Sequence, residues 1–251
     1  MSERTSPSLL QAVMLGIGPA LSAVQNAVEH PMRQLIRWQR GVPCFPNESK
    51  QDIFAHLPAN ERKQAGNTAG RLCSDFHLQH LRKNSSAKNY RRNLFYLEML
   101  EHALSEAAPE IPQTIHAADI GPSDWFYVQA LYAALKWWNS PTGRAVQLTG
   151  FEADAYKVYS DFLSRYDYAR GYMHGLEEVR YIPTKYTRQP GEFDLITMLF
   201  PFVFLKDHLV WGLPLRGFNP VELLRDAWAS LKSGGVLVIV NQGEAEHLAQ
   251  R

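Results

Sequence analysis

Two acidic side chains stand where short apolar runs end, and their surroundings limit what they can do. The first belongs to Asp119-Ile120-Gly121-Pro122-Ser123-Asp124-Trp125, the turn that follows the run TIHAADI. A glycine two places past the acid lets the backbone turn sharply. A carboxylate there gains nothing from a pyrophosphate, so the pattern argues against a dinucleotide loop of the G-x-G-x-x-G kind and suits a cationic or zwitterionic ligand. The second acid, Glu152, closes RAVQLTGFE, where a carboxylate can accept hydrogen bonds from both hydroxyls of a ribose. Each residue also has a plainer reading: Asp119 as the anchor of a turn, Ser123 and Asp124 as helix caps, Glu152 as the first acid of the next helix.

Two further clusters carry chemistry. Cys73, His77 and His80 fall at i, i+4 and i+7, and with Cys44 they would make a zinc-type ligand set if the segment were helical. The distance in sequence between the two cysteines is far from the usual short pairing, so a buried cysteine and solvated histidines, with no metal, are expected. Asp207-His208, shortly after FDLITMLF, is a candidate base for an acceptor that must lose a proton.

The elements that would position these residues alternate in type. TIHAADI, RAVQLTGFE, EVRYI, FDLITMLF and GVLVIVN read as strands, separated by helical patterns at SDWFYVQALYAALKWW, from about Ala153 (Tyr156, Tyr159, Leu163, Tyr166) and at PVELLRDAWASLK. The last helix is well marked, with Asn219 as N-cap, Pro220 at its first position and Gly234 after its end. Such alternation predicts an α/β fold with a mainly parallel sheet covered on both faces. Upstream of Pro109 the patterning is helical, ending in Ala87 to Ala107 with Ser85 and Ser86 as cap candidates and Leu94, Leu97, Leu100 and Leu104 on one face. The chain therefore divides into a helical region, 1–110, and an α/β region, 111–251.

Composition agrees with an ordinary globular protein: 45% hydrophobic and 20% charged residues exclude wholesale disorder, collagen and coiled coil. Net charge is only +1, so nothing attracts nucleic acid globally. Residues 32–93 nevertheless hold twelve Lys or Arg against four acids, which could serve an anionic partner, a solvated face or a surface docked on the acidic remainder. Leu9 to Val28 is long enough to span a bilayer but contains Gln11, Ser22, Gln25 and Asn26. Leu10, Val13, Met14, Ile17, Leu21, Val24 and Val28 instead share one helical face, expected to pack on the rest of the chain. Met32, Leu35, Ile36 and Trp38 among Arg33, Arg37 and Arg40 leave open a membrane-surface role. Two cysteines and a start without a cationic leader make a reducing cytoplasm the expected compartment.

At these positions the sequence resembles class I S-adenosylmethionine-dependent methyltransferases, from about Thr114 to Gly243, most closely in LLRDAWASLKSGGVLVIVNQGE. The resemblance implies a Rossmann-like sheet of order 3-2-1-4-5 and S-adenosylmethionine as cofactor. It places Asp119, Gly121, Pro122 and Ser123 around the methionine part, Glu152 and Ala153 at the ribose, and Leu199 and Phe200 at the floor of the methyl-donor pocket. Three departures accompany it. Ser123 and Trp125 stand where further glycines are usual, implying a different loop path. Ile182-Pro183-Thr184-Lys185 lacks an acid for the adenine amino group, leaving the Thr184 hydroxyl or the backbone to read it. The last two strands of the family are missing, so the sequence is truncated or the final edge is covered by the N-terminal region. The sequence LFPFVF lacks the Asn/Asp-Pro-Pro-Tyr/Phe box of many amino-group methyltransferases, so a small apolar or aromatic acceptor is expected, with no catalytic side chain assigned. Two alternatives stay open: a non-catalytic scaffold of the same fold, and an RNA methyltransferase using the basic N-terminal region.

Overall fold

The computed structural model describes residues 9–250, with side chains from residue 18 onward. The N-terminal part is helical: α1 (Leu9–Ile36), α2 (Ala59–Asp75), α3 (Gln79–Lys83) and α4 (Ala87–Ala107). Strands and helices then alternate as β1 (Thr114–Ile120), α5 (Val128–Trp137), β2 (Ala145–Phe151), α6 (Arg165–Tyr172), β3 (Val179–Ile182) and β4 (Phe193–Leu199). They continue as α7 (Leu205–Trp211), α8 (Pro220–Ala229), β5 (Leu231–Val240) and α9 (Glu244–Gln250). The strands form one parallel sheet in the order β3-β2-β1-β4-β5, the Rossmann-like order that the family resemblance implies. Central β1 is buried along most of its length, as a strand covered on both faces must be. Its register sets Asp119 beside Gly150 of β2 and Thr197 of β4, so the carboxyl ends of three strands open onto one edge. Strand order reverses between β1 and β4, which is where open α/β sheets form their ligand crevice.

Helices α2, α3 and α4 of the N-terminal part share the core of the sheet. Leu94, Leu97, Leu100 and Leu104 of α4 are buried with Leu72, Ile115, Val128 and Leu131 in one cluster. Ser86 caps α4 by accepting from the Asn89 N–H. Fully buried Asn93, on the inner face of α4, does for α5 what a local cap normally does. Its amide oxygen accepts the N–H of Ala130, in the first turn of α5, and its Nδ2 donates to the carbonyl of Phe126 at 2.9 Å. One side chain thus ties α4 to the segment that leaves β1.

Several boundaries differ from those expected. The helix after β1 begins at Val128, not Ser123, because Ser123 and Trp125 take left-handed backbone angles (φ 59 and 55) that stop a helix from starting there. The helix after β2 begins at Arg165 rather than Ala153. A reciprocal capping box between Ser164 and Asp167 fixes its start, and residues 153–164 form an irregular loop. Gly234 does not end α8, which stops at Ala229; it lies within β5 at φ 78, where the register against β4 shifts. Among the described residues α1 lies against α7, and most side chains of β5 stay half-exposed.

The orientation of α1 is the largest departure. Its polar side chains face the protein. Buried Asn26 donates to the carbonyls of Leu209 and Leu213, Arg33 binds Asp154 and the carbonyl of Gly212, and His30 and Gln34 reach the carbonyl of Ala153. Leu21, Val24 and Val28, expected to pack on the chain, are exposed instead. The side chains of Leu10, Val13, Met14 and Ile17 lie outside those described. Among the described residues no helix is long and apolar enough to cross a membrane.

Replacement of Asn93 by Ala strands a buried N–H and removes the link to Phe126. It should lower the unfolding free energy by about 2–4 kcal/mol in urea titration, with the denaturant slope unchanged. A loss below about 1 kcal/mol would contradict a bridging role.

Candidate functional site

A cavity of about 650 Å³, the size of a small-molecule site, opens at the carboxyl edge of β1, β2 and β4. All but one of the site residues expected from the sequence line it: Gly121, Pro122 and Ser123 after β1, Glu152 and Ala153 after β2, Leu199 and Phe200 at the end of β4. Pro183, Thr184 and Lys185 after β3 also line it, as do His30 and Gln34 of α1.

Asp119 is the exception, because its carboxylate is turned into the protein. It is fully buried and accepts hydrogen bonds from Trp125 Nε1 (2.7 Å), Tyr127 OH (2.9 Å) and Thr197 Oγ1 (2.7 Å). Burial pushes its pKa up to about 6, against the three hydrogen bonds, which lower it. Its work is therefore to hold the loop. Trp125, an aromatic residue in the left-handed region, stays there because Asp119 takes its indole N–H and its ring lies on Gly150, where a Cβ would come within 2.9 Å. The loop thus keeps left-handed turns at Gly121, Ser123 and Trp125 although only one of the three is glycine.

Glu152 closes the loop from the other side. Its Oε2 accepts the N–H of Ser123 and its Oε1 that of Asp154, both at 2.8 Å, while the hydroxyl of Tyr181 on β3 donates to the carbonyl of Ser123. Arg165 of α6 approaches Oε1 at 3.6 Å, with its guanidinium 4.3 Å from the Trp211 ring centre. Each carboxylate oxygen retains a lone pair beyond its backbone hydrogen bond, so Glu152 can still accept from a ligand in the cavity. Arg165 also pairs with Asp154, as does Arg33 of α1, so two acids and two arginines form one chain of charge from α1 to the edge of β2.

Asp124, Arg92 and Tyr96 also line the cavity, although none was singled out as a site residue from the sequence. Asp124, mostly buried, accepts from the Tyr159 hydroxyl, and burial raises its pKa while nearby Arg92 opposes the rise. Arg92 of α4 places its guanidinium 3.3 Å from the centre of the Phe126 ring, and Tyr96 stacks on Tyr127. An acid and a cation thus line the same cavity. His208 lies in α7, not in a loop, and is buried. Its Nε2 meets the carbonyl of Pro214 at 3.0 Å, and burial lowers its pKa. A carbonyl only accepts, so Nε2 carries the proton and Nδ1 is the basic nitrogen of the neutral ring. Adjacent Asp207 is exposed and does not line the cavity.

The cysteine and histidine cluster does not assemble. Helix α2 ends at Asp75 and His77 is left-handed, so Cys73, His77 and His80 share no helical face. Cys44 is exposed and Cys73 buried, and among the described residues no three metal-ligating side chains converge.

No family model and no curated protein matches the sequence. Solved structures similar to it include a SAM-dependent methyltransferase from Aquifex aeolicus (18% identity, 57% of this chain and 63% of that one, TM-score 0.38). They also include the plantazolicin methyltransferase BpumL in complex with SAH (15% identity, 76% and 56%, TM-score 0.37). A third is a protein-L-isoaspartate O-methyltransferase (12% identity, 56% and 35%, TM-score 0.35). The matches span less than two thirds of each of these chains.

The environment of Asp119 gives a pH signature. Its folded pKa, about 6, lies above the ordinary 3.8, so its protonation adds stability that is fully present below pH 3.8 and lost as pH rises through 6. The stability of the parent relative to Asp119→Asn, followed by urea unfolding, should therefore grow as pH falls from 7 toward 4. A difference that shrinks on acidification would mean that the carboxylate is held charged.

Proposed function

We propose that the cavity binds S-adenosylmethionine and that the chain transfers its methyl group to a small apolar or aromatic acceptor. The reading is carried by the convergence of Glu152, the loop at Gly121–Ser123 and Leu199–Phe200 on a single cavity at the switch point of the sheet. Glu152 would take the ribose hydroxyls with its remaining lone pairs, and Thr184 or backbone groups beside Ala153 would meet the adenine. A zwitterionic amino acid end needs one anion and one cation, and Asp124 and Arg92 are one such pair on the cavity wall. The acid expected to face such a ligand is then Asp124 rather than Asp119.

Once bound, the sulfonium group supplies a methyl carbon already activated by a neutral thioether leaving group. The chain's own residues bind, align and exclude water. Tyr96 and Phe200 bring aromatic side chains to the lining, the residue type that attracts a positive centre. Phe202, Trp211 and Phe218, clustered about His208, and Leu223 make one wall largely apolar, which suits an acceptor with little charge. An attacking hydroxyl or amine must lose a proton, and Nδ1 of neutral His208 is the base on that wall.

The ligand is tested with S-adenosylhomocysteine. At one hundred times its dissociation constant it should raise the unfolding free energy by about 2.7 kcal/mol. Glu152→Gln, which keeps the size but turns one acceptor into a donor, should weaken binding by about tenfold or more, and Glu152→Ala should do at least as much. No stabilisation of the parent at millimolar ligand would refute the assignment, and an undiminished response in both variants would put the ligand elsewhere.

A further inference from the structure

Helix α1 turns its apolar side away from the protein it is attached to. At about 100° per residue, Leu21, Val24, Val28, Met32 and Leu35 fall within roughly 80° of arc, and Ile36 widens it to about 120°. No charged residue lies inside that arc. The side chains are open to solvent: Leu21 64%, Val24 69%, Val28 63% and Leu35 79% exposed. Together they form an exposed apolar stripe of the kind that marks an interaction surface when contiguous. The opposite side of the helix is fixed by Asn26, His30, Arg33 and Gln34, so rotating α1 to bury the stripe would break hydrogen bonds to Leu209, Leu213, Ala153, Asp154 and Gly212.

The stripe ends in a segment of distinct chemistry. Met32 to Arg40 contains three arginines and no acid. Arg33 is paired with Asp154, whereas the guanidinium groups of exposed Arg37 and Arg40 form no salt bridge among the described residues and donate to the carbonyls of Gln34 and Asp161, with the Asp161 carboxylate near Arg40. Between them Trp38, partly exposed, donates its indole N–H to the carbonyl of Phe162, a residue itself 65% exposed. We infer that α1 and this end segment dock on the surface of an anionic lipid bilayer, with the apolar stripe in the acyl boundary and Arg37 and Arg40 at the headgroups. Two features favour lipid over a second copy of the chain. A two-helix seam covers a narrow stripe and would leave Ile36 in water, whereas a bilayer covers the whole arc. A twofold pairing would also gain nothing from two arginines outside any salt bridge and an indole at one end, a combination that suits a lipid interface. Because His30 and Gln34 of the same helix line the cavity, docking sets that wall of the cavity against the membrane side.

Flotation with vesicles tests the inference, comparing phosphatidylcholine alone with a phosphatidylcholine–phosphatidylglycerol mixture, together with sedimentation of the protein by itself. The expected result is binding to the mixture, weaker binding to neutral vesicles and a decline with added salt. Val28→Glu/Leu35→Glu should lower partitioning by about a hundredfold, since burying each such side chain is worth about tenfold or more, while leaving the melting temperature unchanged. Arg37→Gln/Arg40→Gln should remove the preference for the anionic mixture. Absence of binding, or equal binding by the parent and the Val28/Leu35 variant, would overturn it. So would a concentration-dependent dimer that the same variant dissolves, which would assign the stripe to a second copy.

Discussion

Carboxylate oxygens accepting hydrogen bonds from the loops are what the sheet's carboxyl edge depends on. Asp119 and Glu152 leave neighbouring strands and take hold of the same turn from two sides, one through the Trp125 indole and the other through the Ser123 backbone. Ser123 and Trp125 have left-handed backbones, which L-residues adopt at a cost of order 1–3 kcal/mol each. Such conformations persist only where the surroundings impose them, and here the surroundings are buried charge. The loop keeps a path usually made by glycine because hydrogen bonds to two acids hold it there.

The second acid also transmits order. Glu152 and Asp154 share Arg165, and Asp154 reaches Arg33, so the N-terminal helix and the tip of β2 belong to one electrostatic unit. A buried carboxylate without its guanidinium would be costly, so displacing α1 would leave Asp154 dependent on Arg165 alone. Helix α1 is in this sense part of the cavity wall rather than an appendage. Its polar face is specified from inside the protein, and that leaves its apolar face for something outside.

Much of this was legible in the sequence. The mainly parallel sheet follows from alternating apolar runs and helical periods, its strand order from the family resemblance, and Glu152 stood out as an acid at a strand end, although a helix-start acid reads the same way in the sequence. The direction of Asp119 was not legible. Whether a carboxylate at a strand end points into a cleft or under a loop depends on what the loop brings back, and that was decided by Trp125 taking an unfavourable backbone angle. The start of α6 was lost for a similar reason: tyrosines at helical spacing suggested a helix from Ala153, while the capping pair Ser164 and Asp167 sets the start at Arg165. For α1 the signal was present but read from one side only. Asn26, His30, Arg33 and Gln34 recur at i, i+4, i+7 and i+8, the same period as the apolar stripe, and a polar face that regular is as able to make an interface as an apolar one.

The central claim is that the three strand ends and their loops act on one ligand. Amide hydrogen exchange with and without S-adenosylhomocysteine tests it most directly, because it reports where protection arises as well as whether it does. Slower exchange should appear together in residues 120–127, 152–155 and 199–203 and track a single binding curve. Protection confined to one of these segments, or arising only elsewhere in the chain, would contradict the account.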